Sequence, residues 1–550
     1  MKHKMICRIL LVVFAMSFAV PAFAQESERL APLLKGMGRH HYPISTDSPE
    51  AQRFFDQGLL LSYGFNHAEA ERSFREAARL DPDCAMCYWG IALVLGPNIN
   101  APMAPEAVPK ANEAIQKALE LAPQAAEKER ALINALAKRY AETPPKDRSP
   151  LDAAYADAMR EVAKRYPEDV DIASLFAESL LDLHPWNYWT KEGTPHPWTP
   201  EILTTLESVL DRAPEHQGAL HFYIHATEAS SEPQKGEAAA DRLSKLVPGT
   251  SHLAHMPSHT YIRIGRYHDA SLANLRALSM DQVYIAECHA QGLYPLAYMP
   301  HNSHFLWYAA TMKGRSALAT EAARETARVD KTMFRHAAMG PLMQHFSLMP
   351  LYNSVRFGKW DEILAESKPA DDLLYSVGVW HYARGMAFIA KGQSEKAAAE
   401  LEQLDTIAAN PVVMKQKVWD VNTVGSILGI ASEVLTGELA ATAGDHESAI
   451  QHLQAAVRSE DEQTYIEPPD WYYPVRQSLG AVLLEAGRPA DAERVYREDL
   501  RRNPENGWSL YGLAESLRRQ GKTEDAARVR ERFERAWAFA DVEPVVGILR

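Results

Sequence analysis

Closely spaced histidines occupy the middle of the sequence, between residues 221 and 304. His221 and His225 are four residues apart, and Glu228 follows three positions later. Residues three and four apart lie on one face of an α-helix, so these three side chains would project together. Imidazole binds zinc, copper, iron and nickel alike, and a carboxylate oxygen can complete such a site. The spacing therefore predicts a transition-metal site carried by a helix.

Similar spacing recurs further along the chain. The predicted metal ligands are His221, His225, His252, His255, His259, His301 and His304. Seven imidazoles and one carboxylate exceed the four ligands of a tetrahedral ion. We therefore expect one or two divalent ions, with copper, zinc and iron as the candidates. Met256 and Met299 border the set and favour copper, although methionine side chains more often simply pack.

Two other interpretations of these histidines remain open: a polar groove that binds a peptide, and a purely structural cluster. Protonated imidazoles would repel one another without a metal or an anion to neutralise them, which favours the metal. Glu228 would then be a further ligand or a general base. Arg263 and Tyr308 would contact an anionic or carbonyl group of a substrate. These three residues are the candidate catalytic residues.

The histidines lie within a sequence pattern that repeats every 34 residues. In residues 51–84, apolar or small residues occupy repeat positions 4, 8, 11, 20, 24, 27 and 32, namely Phe54, Gly58, Leu61, Ala70, Phe74, Ala77 and Pro82. Residues 473–506 follow the same pattern with Leu479, Gly480, Leu483, Ala492, Tyr496 and Pro504. The pattern resembles the tetratricopeptide repeat family, whose unit is a helix–turn–helix. It predicts an all-α superhelical solenoid of stacked helix pairs over most of residues 45–540.

The repeat frame assigns each histidine a position. Units 217–250, 251–284 and 300–333 hold all seven, and glycines mark turns between paired helices at Gly265, Gly314, Gly358 and Gly392. The family resemblance implies that first-helix positions 2, 5, 9, 12 and 13 line the concave groove. The seven histidines and the three candidate catalytic residues occupy such positions, so we expect them to face the groove. Pro257 should kink or restart its helix.

The repeats divide the chain into five segments. They are a signal peptide at 1–24, an N-terminal lead-in at 25–50, N-terminal repeat units with insertions at 51–216, histidine-rich central units at 217–343 and C-terminal units at 344–550. Aromatic insertions at 184–189, 196–198 and 294–299 interrupt the units around the histidines. They predict a lid or rim over the groove, or else local packing at irregular junctions.

The first 24 residues have the features of an export signal. A basic start precedes an apolar run at 9–20, and Ala22 and Ala24 form a small-residue cleavage site before Gln25. The run is too short to span a membrane, and no later stretch reaches the roughly 18 apolar residues that a spanning helix needs. We expect a soluble protein secreted across the inner membrane into the periplasm. The chain is similar in this respect to exported bacterial tetratricopeptide proteins with histidine-rich middles.

Charge and cysteine content restrict the partners. The formal net charge is −14, which provides no basic field for a phosphate backbone and disfavours nucleic acid. Cys84 and Cys87 form a C-x-x-C pair, which predicts a local disulfide in an oxidising compartment. A c-type haem would need histidine at position 88, where the chain has Tyr88. Cys288 is expected to be a buried or free thiol.

Three functions fit these observations, and the first two are favoured over the third. The first is an exported protein with a metal-dependent activity, hydrolase or oxidoreductase, toward a small molecule or peptide in the groove. The second is a non-catalytic scaffold that grips a peptide or an envelope protein partner. The third is a periplasmic metal carrier. The sequence contains no GxGxxG, GxSxG or HExxH motif, so it assigns no reaction.

Overall fold

Paired α-helices make up nearly all of the regular structure in the described residues. The computed structural model describes residues 29–246, 250–288 and 294–549, so the predicted signal peptide lies outside the described residues. Residues 29–48 of the lead-in run without a helix to the first repeat unit. That unit begins at Pro49, behind the N-cap residue Ser48, whose Oγ accepts a hydrogen bond from the Ala51 backbone nitrogen.

The helices follow one another in pairs along the chain. The N-terminal ones are α1 Pro49–Tyr63, α2 His67–Leu80, α3 Ala85–Leu95, α4 Val108–Leu121, α5 Glu127–Leu136, α6 Ser149–Arg165, α7 Val170–Leu183 and α8 Thr199–Arg212. The central ones are α9 Gln217–Glu228, α10 Glu237–Leu246, α11 Ser251–His255, α12 Pro257–Arg263, α13 Tyr267–Cys288, α14 Met299–Met312 and α15 Ser316–Thr326.

The C-terminal part continues the same arrangement. Its helices are α16 Gly340–Ser347, α17 Met349–Arg356, α18 Trp360–Ala365, α19 Leu374–Ala390, α20 Ser394–Ala408, α21 Val424–Thr442, α22 His446–Glu462, α23 Arg476–Glu485, α24 Pro489–Arg502, α25 Gly507–Arg519 and α26 Thr523–Ala536. Two short strands, β1 Lys417–Val418 and β2 Asn422–Thr423, pair antiparallel. The predicted all-α solenoid of stacked helix pairs is confirmed.

An aromatic ring between two glycines shows how the repeat pattern forms this fold. Phe74 on α2 packs on Gly58 of its own unit and on Gly90 of the next, where an added Cβ would lie within 3.0 Å of the ring. Tyr496 on α24 is held between two glycines of the C-terminal units in the same way. Small residues at these positions let successive helices approach closely, which explains why distant units share the pattern.

Glycine also permits the turn between the helices of a pair. The four glycines that the sequence marks as turns all have left-handed backbone, with φ of 82° at Gly265, 65° at Gly314, 66° at Gly358 and 68° at Gly392. A side chain at such a φ is strained, whereas glycine is not. The predicted turn positions are confirmed.

The C-terminal units fold back onto the central units. The backbone nitrogen of Asp541 donates to the Gly314 carbonyl at 3.1 Å, and the Trp508 indole Nε1 donates to the Thr311 carbonyl at 2.8 Å. The sequence predicts that the central histidines face the concave groove, and in the structure six of the seven are buried, at most 2% exposed. The repeat frame describes neighbouring units only, and these contacts join units that are about 200 residues apart in sequence.

One helix among the described residues, α21, is long and apolar enough to cross a membrane by length and composition. Its most apolar stretch is 61% buried inside the solenoid, where it packs on α19, α20 and α22. Burial of this kind is typical of a core helix in a repeat stack.

The two cysteines of the C-x-x-C pair lie at the start of α3. Cys84 and Cys87 form a disulfide, with 5.5 Å between their Cα atoms. Cys288, at the end of α13, is a buried free thiol. Both observations agree with the arrangement that the sequence predicts.

Candidate metal centre

Six histidines from three successive repeat units converge into one buried group, here called the histidine cluster. Its members are His221 and His225 on α9, His252 and His255 on α11, His259 on α12 and His301 on α14. Their rings are linked by centroid distances of 4.8 Å (His221–His225), 5.0 Å (His221–His252), 5.7 Å (His252–His255), 4.8 Å (His255–His259) and 4.9 Å (His255–His301). Five of them are at most 2% exposed. The sequence prediction that these imidazoles meet between helices agrees with this geometry.

The cluster divides into two groups of three. His221, His225 and His252 form trio A, and His255, His259 and His301 form trio B. Within each trio one ring nitrogen from every histidine lies within 4.8 Å of the others. Two adjacent sites with three imidazoles each are thus present, which matches the expectation that seven histidines exceed one ion.

Pro257 separates the two helices that carry His255 and His259 of trio B. The proline begins α12 as expected, but Met256 between α11 and α12 keeps helical dihedrals, with φ −50° and ψ −37°. The chain therefore restarts without turning away. His255 and His259 keep their i,i+4 relation, and their rings remain neighbours across the break.

Four Nδ1 atoms of the cluster have an oxygen partner. The hydrogen bonds run from His221 to the Tyr63 carbonyl (2.5 Å), from His225 to Glu228 Oε1 (2.7 Å), from His255 to Asn274 Oδ1 (2.6 Å) and from His259 to Glu228 Oε2 (2.5 Å). The Tyr63 carbonyl and the Asn274 amide oxygen only accept, so Nδ1 carries the proton of the neutral His221 and His255 rings. The lone pair then resides on Nε2. Proteins orient metal-ligating imidazoles in this manner.

The Nε2 atoms face one another instead of a protein donor. His255 Nε2 is 2.9 Å from His259 Nε2, and His301 Nε2 is 3.5 Å from the same atom. In trio A, Nε2 of His221 and of His225 has no hydrogen-bond partner among the described residues. Lone pairs this close repel unless a cation lies between them. Nitrogens bound at about 2.0–2.1 Å to one tetrahedral ion are roughly 3.3 Å apart, so the spacing in trio B suits a shared ion.

Burial keeps these imidazoles neutral. It lowers the pKa of His225 and of His255 to about 3. The pKa values of the other four members, His221, His252, His259 and His301, are likewise held well below the usual value, mainly by burial and then by neighbouring imidazoles. Neutral imidazole is the form that binds metal, so the cluster is in its ligating state at neutral pH.

Glu228 lies behind the imidazoles and joins the two trios. Its Oε1 accepts from His225 in trio A and its Oε2 from His259 in trio B. Burial raises the pKa of this carboxyl well above its usual value. With both oxygens engaged by Nδ1 atoms, Glu228 is placed to orient ligands. His225, Glu228 and His259 also form a group that could hold a metal, so the role of Glu228 as a ligand or general base stays a prediction.

The other candidate catalytic residues also point away from the Nε2 atoms. Arg263 Nε donates to the Glu228 backbone carbonyl at 3.0 Å, and the guanidinium stacks 5.3 Å over the Tyr465 ring. The Tyr308 hydroxyl donates to Asn503 Oδ1 at 3.4 Å, at the contact with the C-terminal units. Both side chains therefore have structural partners.

His304, the seventh predicted ligand, belongs to neither trio. Its ring lies 5.5 Å from that of His345 on α16. His345 Nδ1 is 2.8 Å from the Tyr375 hydroxyl. The His304 ring therefore lies beside the next helix along the chain.

Glu467 is a member of the site that sequence reasoning missed. Its Oε2 lies 3.2 Å from His259 Nδ1, and its Oε1 lies 3.8 Å from Arg263 Nε. Burial and the charge of Glu228 raise the pKa of the Glu467 carboxyl well above its usual value. The residue comes from the loop between α22 and α23, more than 200 positions after His259, so no local spacing signals it.

Aromatic rings enclose the cluster. The contacts, as ring-centroid distances, are Phe65–His221 4.6 Å, Trp186–His225 5.2 Å, Tyr298–His252 4.9 Å, Phe305–His259 4.4 Å and Trp419–His301 5.9 Å. Trp186 and Tyr298 belong to two of the aromatic insertions, which thus wall the site as well as packing locally. The shell separates the imidazoles from solvent and strengthens electrostatic interactions inside.

Phe65 shows that the first unit is adapted to the cluster. It occupies the turn position that is glycine in the central units, and its φ is 54°. A bulky residue in this left-handed region is strained. The strained turn places the ring on His221 and His252, at centroid distances of 4.6 and 5.7 Å.

A separate group of His40, Asp171 and His216 does not resemble a metal site. His216 Nδ1 accepts from the Ala219 backbone nitrogen at 3.1 Å as the N-cap of α9, so its proton resides on Nε2. That Nε2 donates to Asp171 Oδ1 at 3.1 Å. Tyr63 donates its hydroxyl to the same oxygen at 2.7 Å. The group therefore anchors the lead-in and α1 beside the cluster.

Comparison with a known protein family agrees with the helix pairs of the C-terminal units. The tetratricopeptide repeat family model matches residues 478–541. No curated protein matches the sequence. The human IFIT1 dimer with m7Gppp-AAAA is 13% identical with a TM-score of 0.32, and the match covers 90% of this chain and 92% of that one. The P58(IPK) TPR domain is 12% identical with a TM-score of 0.22, covering 86% and 99%. Likeness at this level carries no argument about ligands or partners.

Proposed function

We propose that this chain is an exported tetratricopeptide-repeat protein that binds two transition-metal ions in the histidine cluster, one in each trio. The observation that carries the proposal is the orientation of the imidazoles. Four Nδ1 atoms are held by oxygen acceptors, while Nε2 atoms meet at 2.9 and 3.5 Å in trio B. A cation between these nitrogens would offset the repulsion of their lone pairs, and the hydrogen bonds at Nδ1 would orient the rings toward it.

The enclosure of the cluster distinguishes this function from peptide binding at the same place. A groove that grips a peptide must present its polar side chains to solvent, yet five of the six histidines are at most 2% exposed. Interaction with a protein partner, the common use of this repeat, would have to employ another surface of the scaffold. A metal-dependent reaction at the cluster would act on a small substrate, through an ion that polarises it or exchanges electrons.

Export of the protein is supported by the cysteine pairing. A disulfide persists in oxidising compartments such as the bacterial periplasm, and Cys84 and Cys87 are linked. If the first 24 residues are a cleaved signal, N-terminal sequencing of the mature protein should begin at Gln25 after osmotic release. Retention of Met1, or fractionation with membranes, would refute export.

Metal content of the purified protein tests the proposal directly. The wild type should retain or take up about two equivalents of a transition metal, and the double variant His225→Ala/His259→Ala should bind none at comparable affinity. A matched control is His381→Ala/His452→Ala, which removes two histidines that pair with Glu400 and Glu433 outside the cluster. Circular dichroism should show unchanged helical content in both variants.

Thermal unfolding provides a second measurement. Metal at 100–1,000 times its dissociation constant should stabilise the wild type by about 3–4 kcal/mol per ion, and chelator should remove that gain. The double variant should melt at the same temperature with and without chelator. Less than about a tenth of an equivalent of any transition metal after reconstitution, with an unchanged melting point, would exclude metal binding and leave a scaffold or structural role.

A further inference from the structure

We propose that the two ions are copper and that the reduced pair, one Cu(I) in each trio, reduces dioxygen to bound peroxide. This inference rests on the proposed function, because it needs both trios to hold metal. Three features of the cluster carry it: the number of donors in each trio, the burial of the site and its enclosure by aromatic rings.

The number of donors favours copper. Each trio offers three imidazoles, and the nearby Glu228 oxygens are taken by Nδ1 atoms. Structural zinc sites take four protein ligands, and catalytic ones add a water to three. Cu(I) is satisfied by three neutral imidazoles in a trigonal arrangement. A Cu(I) ion in each trio therefore needs no ligand beyond the three imidazoles, whereas zinc there would need a water in its fourth position.

The burial of the cluster favours the monovalent state. Six neutral imidazoles contribute no charge, and a positive charge in a buried site is costly. Two Cu(I) ions bring two positive charges into the cluster, whereas two divalent ions bring four.

The enclosure favours a very small ligand. Five aromatic rings contact the cluster, those of Phe65, Trp186, Tyr298, Phe305 and Trp419. His301 is the one member of the cluster that is partly exposed. An uncharged diatomic molecule can cross such a shell, whereas a peptide or sugar cannot reach the Nε2 atoms. Dioxygen meets this requirement.

The reaction balances within the site. Each Cu(I) gives one electron and becomes Cu(II), and dioxygen takes both electrons and becomes peroxide, with its O–O double bond reduced to a single bond. No proton is required. The two added positive charges on copper are matched by the two negative charges of peroxide. The net charge of the buried site is therefore the same before and after oxygen binds.

Anaerobic titration of the metal-free protein with Cu(I), in competition with a Cu(I)-specific chelator, is the first test. The wild type should bind two equivalents. Admission of oxygen should then consume one dioxygen per two copper ions. The oxidised sample should show an electron paramagnetic resonance signal from less than a tenth of its copper, because two Cu(II) ions bridged by peroxide couple magnetically.

A variant in one trio shows whether the two ions act together. His301→Ala should bind one equivalent of copper, consume less than a tenth of the oxygen that the wild type consumes per copper, and give a full Cu(II) signal only after a chemical oxidant is added. His381→Ala, outside the cluster, should behave as the wild type. If His301→Ala loses helical content, His221→Ala makes the same test from trio A, and the wild-type stoichiometry still decides the proposal by itself.

The outcomes separate this inference from the proposed function. Two equivalents of zinc bound, with Cu(I) held no more tightly than by His225→Ala/His259→Ala, would overturn the copper pair and leave metal binding intact. Two copper ions with a full Cu(II) signal after oxidation would show independent sites and would also overturn it. Failure to bind any of these metals would remove both proposals.

Discussion

Replacement of Glu228 with glutamine should lower the binding affinity for one of the two ions far more than for the other. Glu228 accepts from His225 in trio A and from His259 in trio B, at 2.7 and 2.5 Å. A glutamine side chain has one oxygen and one NH₂ group, so it can accept from only one of the two Nδ1 atoms. The other imidazole would face a donor, and its orientation would be lost.

The magnitude follows from the role of outer-shell partners. Loss of such a hydrogen bond typically lowers metal affinity 10- to 100-fold, or about 1.4–2.7 kcal/mol. The trio that loses its hydrogen bond should bind its ion with an affinity lower by that amount. The ion in the other trio keeps the hydrogen bond and loses only the negative charge behind it, so its affinity should fall by less.

Chelator competition at fixed pH measures both affinities. The wild type should release its two ions over a similar range of chelator concentration. Glu228→Gln should release one of them at a 10- to 100-fold lower chelator concentration. Glu400→Gln is the matched control, since Glu400 accepts from His381 Nδ1 at 2.6 Å in an imidazole–carboxylate pair outside the cluster. If the two variants release metal alike, Glu228 does not orient the ligands and the reasoning is refuted.

Three further measurements test other parts of the structure. Burial depresses the pKa values of His225 and His255 to about 3, so the unfolded chain binds more protons than the folded one below pH 6.5. Each of these two histidines should therefore cost the metal-free protein about 1 kcal/mol of stability between pH 6.5 and 5.5. The melting temperature of the wild type should fall more steeply over this range than that of the double variant His225→Ala/His259→Ala. Phe74→Ala should destabilise by about 3–5 kcal/mol in chemical denaturation, because it empties the space between two close helices. Mass spectrometry of non-reduced peptides should find Cys84 linked to Cys87, and two free thiols there would contradict the pairing.

The solenoid could be predicted from the sequence because its determinants are local. Small residues such as Gly58, an aromatic residue such as Phe74 and turn glycines such as Gly265 recur at fixed positions, and each acts within one unit or between neighbours. The same local logic placed the six imidazoles on facing helices. It also anticipated the restart of the helix at Pro257, since proline acts on its own turn.

The environment of the histidines could not be predicted, because it depends on contacts between distant units. The pattern of a single repeat predicts that positions 2, 5 and 9 face a groove. Nothing in residues 217–333 indicates that residues 465–541 pack over the histidines at these positions. Where the C-terminal and central units meet, Glu467 contacts His259 and the Tyr308 hydroxyl donates to Asn503. The frame therefore gave the right faces but not the burial, and it did not indicate the contacts of Tyr308 with Asn503 and of His304 with His345.

The distant contacts also imply that the site and the superhelix stabilise each other. Trio A rests on the first unit, since His221 donates to the Tyr63 carbonyl, and trio B rests on the C-terminal units through Glu467. An ion in either trio thus favours the closed arrangement of units far apart in the chain. Because ligand binding is linked to every equilibrium that builds the site, loss of metal should loosen these long-range contacts before it disturbs the helix pairs themselves. Helical content would then be a poor reporter of metal loss, and protection of the backbone near Tyr63 and Glu467 from hydrogen exchange a sensitive one.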